Sequence, residues 1–169
     1  MMEEMSSLDI NYALKELRGL QGGKIQKIYQ RDRNFRVRIY AQGSNHELMI
    51  SPGRIHLSQF DRKGPKKPSN FCMFLRKHLR NETLREIKQH KFDRIVELKT
   101  GSKTLVCEIF GKGNFVLLDG DGKIVQPLEV QRWSEREIKS GVEYKYPPAG
   151  KDPRKVGKRE FKRILDKDK

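Results

Sequence analysis

The chain has 169 residues, enough for one domain of ordinary size with a real core. Its 37 lysines and arginines outnumber its 22 aspartates and glutamates, giving a formal net charge of +15. No stretch approaches about eighteen consecutive apolar residues, and no charged-then-apolar leader opens the sequence. These features argue against a membrane-spanning or exported protein, and we expect a cytoplasmic one.

The positive charge is concentrated between residues 23 and 100. That segment carries 19 basic and 7 acidic residues, whereas residues 101–150 carry 7 of each. A surface that is merely rich in charged residues should carry similar numbers of basic and acidic side chains. A basic excess in one stretch of a folded domain favours a polyanionic partner, because each neutralised phosphate releases counterions. Charge alone leaves RNA and DNA both open.

Residues 7–20 have the spacing of an amphipathic helix, with Ser6 or Ser7 as its N-cap. Positions three and four apart form an apolar face: Ile10, Ala13, Leu14 and Leu17. Asp9 lies in the first turn, where the helix dipole favours a carboxylate. Stabilising the start of the helix is therefore the simplest interpretation of Asp9 from the local pattern.

Apolar and polar side chains alternate between residues 24 and 50, as in half-buried strands. Turn signals at 31–34, 42–45 and 51–53 separate the strands, and a further short strand covers 54–58. Basic residues dominate the positions between the apolar ones: Lys24, Lys27, Arg31, Arg33, Arg36 and Arg38. We expect strands with a basic outer face.

A basic, proline-containing loop over 60–69 leads into a predicted helix over 71–79, capped by Ser69 or Asn70. Its apolar side consists of Phe71, Phe74, Leu75, His78 and Leu79. We place Arg76, Lys77 and Arg80 on the opposite side of the helix. That side is either a docking surface for phosphates or simply a solvated face.

Residues 92–98 have β-like composition, and Asp93 and Arg94 open this predicted strand. Three more strands are predicted over 103–109, 114–118 and 123–128, with a hairpin turn at 119–122. The mixture predicts an α+β fold, a β-rich sandwich-like domain flanked by helices.

The aromatic segment 133–146, with Pro147 and Pro148, is predicted to close a domain of residues 1–150. After Pro153, a short charged helix is predicted over 156–165, and its few apolar side chains need a partner that is not evident in the rest of the sequence. We expect residues 151–169 to begin a following helical region.

No sequence motif for independent catalysis is present. The chain has no phosphate-binding P-loop, nucleophile elbow or paired zinc ligands, and its four histidines are scattered. Cys72 and Cys107 lie in apolar patterns and are interpreted as buried thiols. The Asp-Gly turn at 119–122 lacks the remaining oxygens of a calcium loop. We expect a binding protein without a cofactor or metal, not an enzyme.

Several ordered motifs resemble the N-terminal domain of the NFACT family of ribosome-associated quality-control factors. They are SSLDINYALKEL at 6–17, IHLS at 55–58, the P-x-x-P-x-x-F-x-M-x-L-R-K pattern at 65–77, QHKFDRIVEL at 89–98, GNFVLLD at 113–119 and YPP at 146–148. The resemblance implies a fold like the N-terminal domain of formamidopyrimidine-DNA glycosylases. In full-length proteins a helix-hairpin-helix region, a coiled coil and a C-terminal RNA-binding domain are implied to follow.

The same resemblance implies tRNA and the large ribosomal subunit with its rRNA as partners, together with the remaining domains of the full-length protein. The implied role is to bind stalled large subunits carrying peptidyl-tRNA and to recruit tRNA for template-free C-terminal tailing. Asp9, Asp93 and Arg94 match the family's tRNA-contacting acidic and Asp-Arg motifs.

An Asp-Arg pair suits an unstacked RNA loop, because arginine stacks on bases or forks a phosphate and aspartate accepts from base N–H groups. In a regular strand, however, Asp93 and Arg94 would point to opposite faces. Either they lie at a bulge or strand start, or one of them is structural, for example Arg94 in an ion pair inside the domain.

Two other classes remain as alternatives. A general ribosome-docking module would use the basic face without selecting tRNA. A DNA-repair glycosylase would share the implied fold, but such enzymes attack through the amine of a proline or similar residue exposed by Met removal. The opening Met1-Met2-Glu3-Glu4 offers no such nucleophile.

Overall fold

The computed structural model describes residues 4–58 and 67–148. Within these residues the chain forms two α-helices and eleven strands. The helices are α1 (Ser7–Leu17), continued by a 3-10 turn over Arg18–Leu20, and α2 (Asn70–Leu79). The strands are β1 (Lys24–Arg31), β2 (Asn34–Ala41), β3 (Ser44–Ser51), β4 (Arg54–Ser58), β5 (Glu86–Gln89), β6 (Ile95–Lys99), β7 (Thr104–Glu108), β8 (Asn114–Leu118), β9 (Ile124–Pro127), β10 (Gln131–Arg132) and β11 (Glu137–Ile138).

The first sheet is an antiparallel meander of β1 to β4 in chain order. The turn between β2 and β3 is made by Gln42 and Gly43, with φ angles of 52° and 81°. Two consecutive positive φ angles give a tight turn whose twist matches that of the flanking strands. The strands and turns predicted for residues 24–58 are confirmed.

The second sheet contains β5 to β9 in chain order, again antiparallel, and β10 and β11 form a small separate pair. The strands predicted over 103–109, 114–118 and 123–128 are confirmed within a residue or two at each end. The sequence did not predict β5, β10 or β11. With two to four residues each, these strands are too short to display a hydrophobic period.

The two sheets share the main hydrophobic core. Phe35 of β2 meets Phe115 of β8 with ring centroids 4.2 Å apart, and Phe71 of α2 packs edge-on against Phe35 at 6.0 Å. Helix α1 adds Ile10 and Leu14 to the same core. The α+β prediction is therefore confirmed as antiparallel sheets with two helices.

A second, smaller core covers the other face of the second sheet. Ile138 and Tyr144, from the segment that follows β9, pack on apolar strand residues there: Ile95, Val106, Val116, Leu118 and Ile124. Glu108 is buried under this segment, and the guanidinium of Arg136 forks its two carboxylate oxygens at 2.8 and 3.0 Å. The Tyr144 hydroxyl donates to the same carboxylate at 2.5 Å, and burial beside it raises the pKa of Tyr144.

Some elements begin or end a few residues from their predicted boundaries. The first α-helix ends at Leu17, and its last three predicted residues form the 3-10 turn. Strand β6 begins at Ile95, so Asp93 and Arg94 precede it. Cys72 and Cys107 are buried free thiols, as predicted. Most of the predicted loop at 60–69 and all of the region 151–169 lie outside the described residues.

Neither α1 nor α2 is long and apolar enough to cross a membrane, a finding that applies to the described residues.

Candidate nucleic-acid interface

Asp9 forms a capping box with Ser6 at the start of α1. The Ser6 Oγ accepts from the Asp9 N–H at 3.1 Å, and Asp9 Oδ2 accepts from the Ser6 N–H at 2.9 Å. This satisfies two of the amide groups that a helix N-terminus would otherwise leave without partners. The Asp9 residue is nevertheless exposed to solvent. Asp9 therefore has a structural role and, at the same time, a carboxylate at the surface.

Asp93 and Arg94 lie in the turn between β5 and β6. The Asp93 N–H donates to the His90 carbonyl at 3.0 Å, which closes the turn one residue before Arg94. Because both residues precede the strand, the alternation of strand side chains does not force them onto opposite faces. From the sequence, this pair was expected at a bulge or at the start of the strand, unless one residue had a structural role. In the structure both residues lie just before β6.

Gln89 joins this turn to the start of α1. Its side-chain amide donates to the Ser7 carbonyl at 2.9 Å and to the Asp93 carbonyl at 2.8 Å. Asn11 of α1 donates in turn to the Gln89 Oε1 at 3.3 Å. One glutamine side chain thus holds together two segments that are more than eighty residues apart in sequence. The turn with Asp93 and the helix end with Asp9 are neighbours for this reason.

Arg94 makes an ion pair with Glu4, just ahead of α1. The Arg94 Nη1 lies 3.3 Å from Glu4 Oε2, and the two side chains are 39 % and 61 % exposed. An exposed pair of this kind contributes about 1 kcal/mol or less. From the sequence, an ion pair of Arg94 inside the domain was one alternative. Arg94 does form an ion pair, but it lies at the surface, beside the helix that carries Asp9. The guanidinium remains accessible from solvent.

Aromatic side chains flank this group of residues. The His90 ring stacks on Tyr146 with centroids 3.4 Å apart and planes at 4°, and burial lowers the pKa of His90. On α1, Tyr12 is 59 % exposed and lies one turn beyond Leu8, which is also exposed. Sequence reasoning missed Gln89 and Tyr12. For Tyr12, the one available signal was its position three residues after Asp9, which places the two side chains next to each other on a helix.

The basic side of α2 differs from its prediction at one position. Lys77 and Arg80 are exposed, as expected. Arg76 instead turns back to the first sheet, where its Nε donates to the Ile28 carbonyl at 2.7 Å. Cys72, one turn earlier, is buried and contacts the same carbonyl, so Arg76 shares its side of the helix. The edge strand β1 supplies the carbonyl, and Arg76 is half-buried beside it.

Comparisons with known proteins extend these observations. Residues 6–169 match the protein family described as NFACT N-terminal and middle domains. The chain belongs to the NFACT family. Among curated NFACT relatives, the archaeal Rqc2 homolog aRqcH of Methanocaldococcus jannaschii is 37 % identical over 160 residues, covering 88 % of this chain and 24 % of the relative. The human ribosome quality control complex subunit NEMF is 30 % identical over 154 residues, covering 87 % and 14 %.

A solved structure has the same fold. The N-terminal domain of fibronectin-binding protein PavA from Streptococcus pneumoniae superposes with a TM-score of 0.81 at 31 % identity, covering 95 % of this chain and 68 % of that one. The chain spans about a quarter or less of the length of the two curated NFACT relatives. Those relatives are ribosome quality control factors by name, and most of their length lies outside the matched region.

Proposed function

We propose that this NFACT domain binds tRNA through the surface formed by Asp9, Asp93 and Arg94. The single observation that carries the proposal is the Gln89 side chain, which bridges the first turn of α1 and the Asp93 turn. The family supports it through relatives that are named as ribosome quality control factors. In this role the domain acts on stalled large ribosomal subunits, within a longer protein that supports template-free C-terminal tailing.

The chemistry of the three side chains suits bases better than backbone. Two carboxylates repel phosphates but accept hydrogen bonds from base amino and imino groups, and an arginine stacks on a base or forks a phosphate. Tyr12, exposed one turn beyond Asp9, offers a ring on which an unstacked base can lie. An RNA loop with splayed bases, such as an anticodon loop, fits this combination better than a duplex does.

Lys77 and Arg80 are proposed to position phosphates of the RNA, including rRNA, without reading sequence. Both are exposed at the end of α2. Arg76 is not included among these phosphate contacts, because its Nε donates a hydrogen bond to the Ile28 carbonyl. Phosphate contacts set register and orientation, whereas base contacts determine selection.

The test measures which tRNAs the chain retains from a mixed tRNA pool. Asp93→Asn keeps the shape and most acceptors but removes the charge, and Arg94→Lys keeps the charge but loses the planar fork. Both substitutions should change the composition of retained tRNA more than the total amount of RNA bound. Sequencing of the bound fraction gives the first quantity, and filter binding gives the second.

Glu4 supplies a control for the role of Arg94. Glu4→Gln removes the surface partner of the guanidinium. If Arg94 contacts RNA, this substitution should raise affinity a few-fold, because the ion pair no longer competes. Glu143→Gln, an exposed acid in the segment after β11, gives the matched loss of one negative charge.

Two outcomes would replace the proposal. Equal binding of all RNAs, unchanged by Asp93→Asn, would indicate a general ribosome-docking module. Tighter binding of damaged DNA than of tRNA would indicate the glycosylase-like class.

A further inference from the structure

The turn between β5 and β6, residues 90–94, contains a residue in a strained backbone conformation. Lys91 has a φ angle of 48°, in the left-handed region that residues other than glycine adopt at an energetic cost. Such a conformation persists only where the surrounding structure fixes it. Phe92 is buried and anchors the middle of the turn. We therefore looked for side chains elsewhere in the molecule that hold the two ends of the turn in place.

Tyr146 makes such a contact from the segment that follows β9, which we call the covering segment (residues 128–148). Its ring stacks on the His90 imidazole, with centroids 3.4 Å apart and planes at 4°. Its hydroxyl donates a hydrogen bond to the carboxylate of Glu97 on β6, a residue that is 2 % exposed. The ring therefore contacts the first residue of the turn, and the hydroxyl binds the strand that follows the turn.

The covering segment is itself attached to the second sheet next to Tyr146. The Tyr144 hydroxyl donates to the buried Glu108 at 2.5 Å, and the Tyr144 ring meets the Tyr146 ring edge-on at a centroid distance of 5.0 Å. Arg136 forks Glu108 and also donates to the Lys145 carbonyl at 3.0 Å. Both residues that precede Tyr146 are thus fixed by contacts that include Glu108 or its partner.

Core packing does not explain where the Tyr146 ring lies. Ile138 and Tyr144 of the covering segment belong to the smaller hydrophobic core, whereas Tyr146 lies outside that cluster of described residues and is 40 % exposed. The Tyr146 ring is stacked on a histidine of the turn instead. Stacked aromatic pairs contribute stabilisation beyond the area that they bury. The contacts of Tyr146 therefore indicate a role in the turn.

We propose that Tyr146 is a positioning residue for the candidate tRNA surface and acts on Asp93 and Arg94 through His90. Gln89 connects the turn to α1, and Tyr146 connects the same turn to the covering segment. Groups that recognise a ligand select it best when their supports leave them one arrangement. This inference rests on the proposed tRNA binding and adds a residue that determines its selectivity.

The experiment uses two substitutions of Tyr146 and a matched control. Tyr146→Leu removes both the stack and the hydroxyl, whereas Tyr146→Phe keeps the ring and removes only the bond to Glu97. Tyr40→Leu changes a tyrosine of β2 that is 45 % exposed and serves as the control. Asp93→Asn is measured alongside these variants, because it tests the proposed tRNA surface by itself.

Three quantities are measured for each variant. Sequencing gives the composition of the tRNAs retained from a mixed pool, and fluorescence anisotropy gives the affinity for a labelled uridine oligonucleotide. Mass spectrometry gives the rate of backbone amide exchange in residues 89–95 and in β7. Exchange in β7 reports the opening of the sheet, so the ratio of the two rates separates a local change in the turn from a general loss of stability.

Tyr146→Leu should change the composition of the retained tRNAs as Asp93→Asn does. It should also raise amide exchange in the turn relative to β7 by roughly two- to tenfold, the range that corresponds to one aromatic stack. Its affinity for the uridine oligonucleotide should change by less than about twofold, because phosphate contacts are not affected. Tyr146→Phe and Tyr40→Leu should retain the wild-type tRNA composition.

A wild-type tRNA composition in Tyr146→Leu, when Asp93→Asn alters it, would overturn this inference and leave the proposed tRNA surface intact. Equal changes in Tyr146→Phe and Tyr146→Leu would overturn the role of the stack on His90. If Asp93→Asn leaves selection unchanged, the proposed function fails, and amide exchange still tests the positioning role. An increase confined to the turn would then support that role, and equal increases in the turn and in β7 would overturn it.

Discussion

The outer faces of the two sheets pair their charges in different ways. On the second sheet, Glu108 is buried beneath the covering segment, where Arg136 neutralises it and Tyr144 donates a hydrogen bond to it. On the first sheet, Arg36 and Arg38 of β2 both contact the carboxylate of Glu47 on β3. Buried charge in a protein is normally matched by a partner, as at Glu108 and at the buried Arg36. The covering segment supplies the partner on one face, and a neighbouring strand supplies it on the other.

A second comparison concerns the covering segment itself. Tyr146 donates a hydrogen bond to the buried Glu97 and stacks on His90, so it links the covered face to the Asp93 turn. The segment thereby supports the candidate tRNA surface from behind. The outer face of the first sheet is different, because strand register places its charged side chains next to one another. We therefore expect mutations on the two faces to have different effects on stability.

Removing Arg136 should produce the largest effect on stability. Arg136→Met leaves the carboxylate of Glu108 buried without its fork, so we expect the free energy of unfolding to fall by about 3–5 kcal/mol. Arg38→Met on the other face should cost about 1 kcal/mol or less, because the pair is partly exposed and Arg36 still contacts Glu47. Chemical denaturation measures both. Similar losses would show that the two faces are not organised differently.

Gln89→Ala should cost less stability but should separate the two halves of the candidate tRNA surface. Loss of its bonds to the Ser7 and Asp93 carbonyls should lower the free energy of unfolding by about 1–3 kcal/mol. The selection of tRNA should change as it does in Asp93→Asn. Gln126→Ala in β9 is the matched control. If Gln89→Ala retains the wild-type tRNA mixture, the bridge has no part in recognition.

Substitutions at the start of α1 separate capping from RNA contact. Ser6→Ala and Asp9→Ala should each lower the free energy of unfolding by about 1 kcal/mol, because each breaks the capping box. Asp9→Asn retains an acceptor for the Ser6 N–H and should remain more stable than Asp9→Ala. It should still alter tRNA selection, whereas Ser6→Ala should not. If Asp9 caps the helix but does not contact RNA, all three variants should retain the same mixture of tRNAs as the wild type. Sequencing of the tRNAs retained from a pool measures this.

The smallest expected effect is a loss of stability in weak acid. Burial lowers the pKa of His56 on the first sheet and of His90 beside the second, so the folded state disfavours their protonation. The free energy of unfolding should therefore fall as pH drops below the ordinary histidine value of about 6.5 and continue to fall through the lower folded pKa values. Denaturation midpoints at pH 7.5 and 5 measure the slope, and His90→Gln should reduce it. A slope unaffected by that substitution would remove His90 from the explanation.

Local patterns predicted much of the fold. The alternation over residues 24–58, the turns at 42–45 and 119–122 and the α2 stripe all depend on neighbours within a few residues, and each appears in the structure. The capping role of Asp9 is local for the same reason. Where a pattern was too short, as in the four residues of β5, no period could be detected.

The arrangement of the candidate surfaces could not be predicted in this way. Gln89 contacts the Ser7 carbonyl across 82 positions, and Arg136 meets Glu108 across 28. Such contacts depend on how the sheets and helices pack, which a single sequence does not encode locally. The family resemblance singled out Asp9, Asp93 and Arg94, but it gave no indication of the Gln89 bridge. The contact of Arg76 with the Ile28 carbonyl likewise appears only when the packing of α2 on β1 is known.

Ultraviolet crosslinking of bound tRNA, followed by peptide mapping, tests the central claim most directly. Tyr12 on α1 is 59 % exposed, and Trp133, which follows β10, is 48 % exposed. Our account predicts RNA adducts on the peptide that contains Tyr12, with little on the peptide that contains Trp133. Adducts concentrated at Trp133, with none at Tyr12, would contradict it.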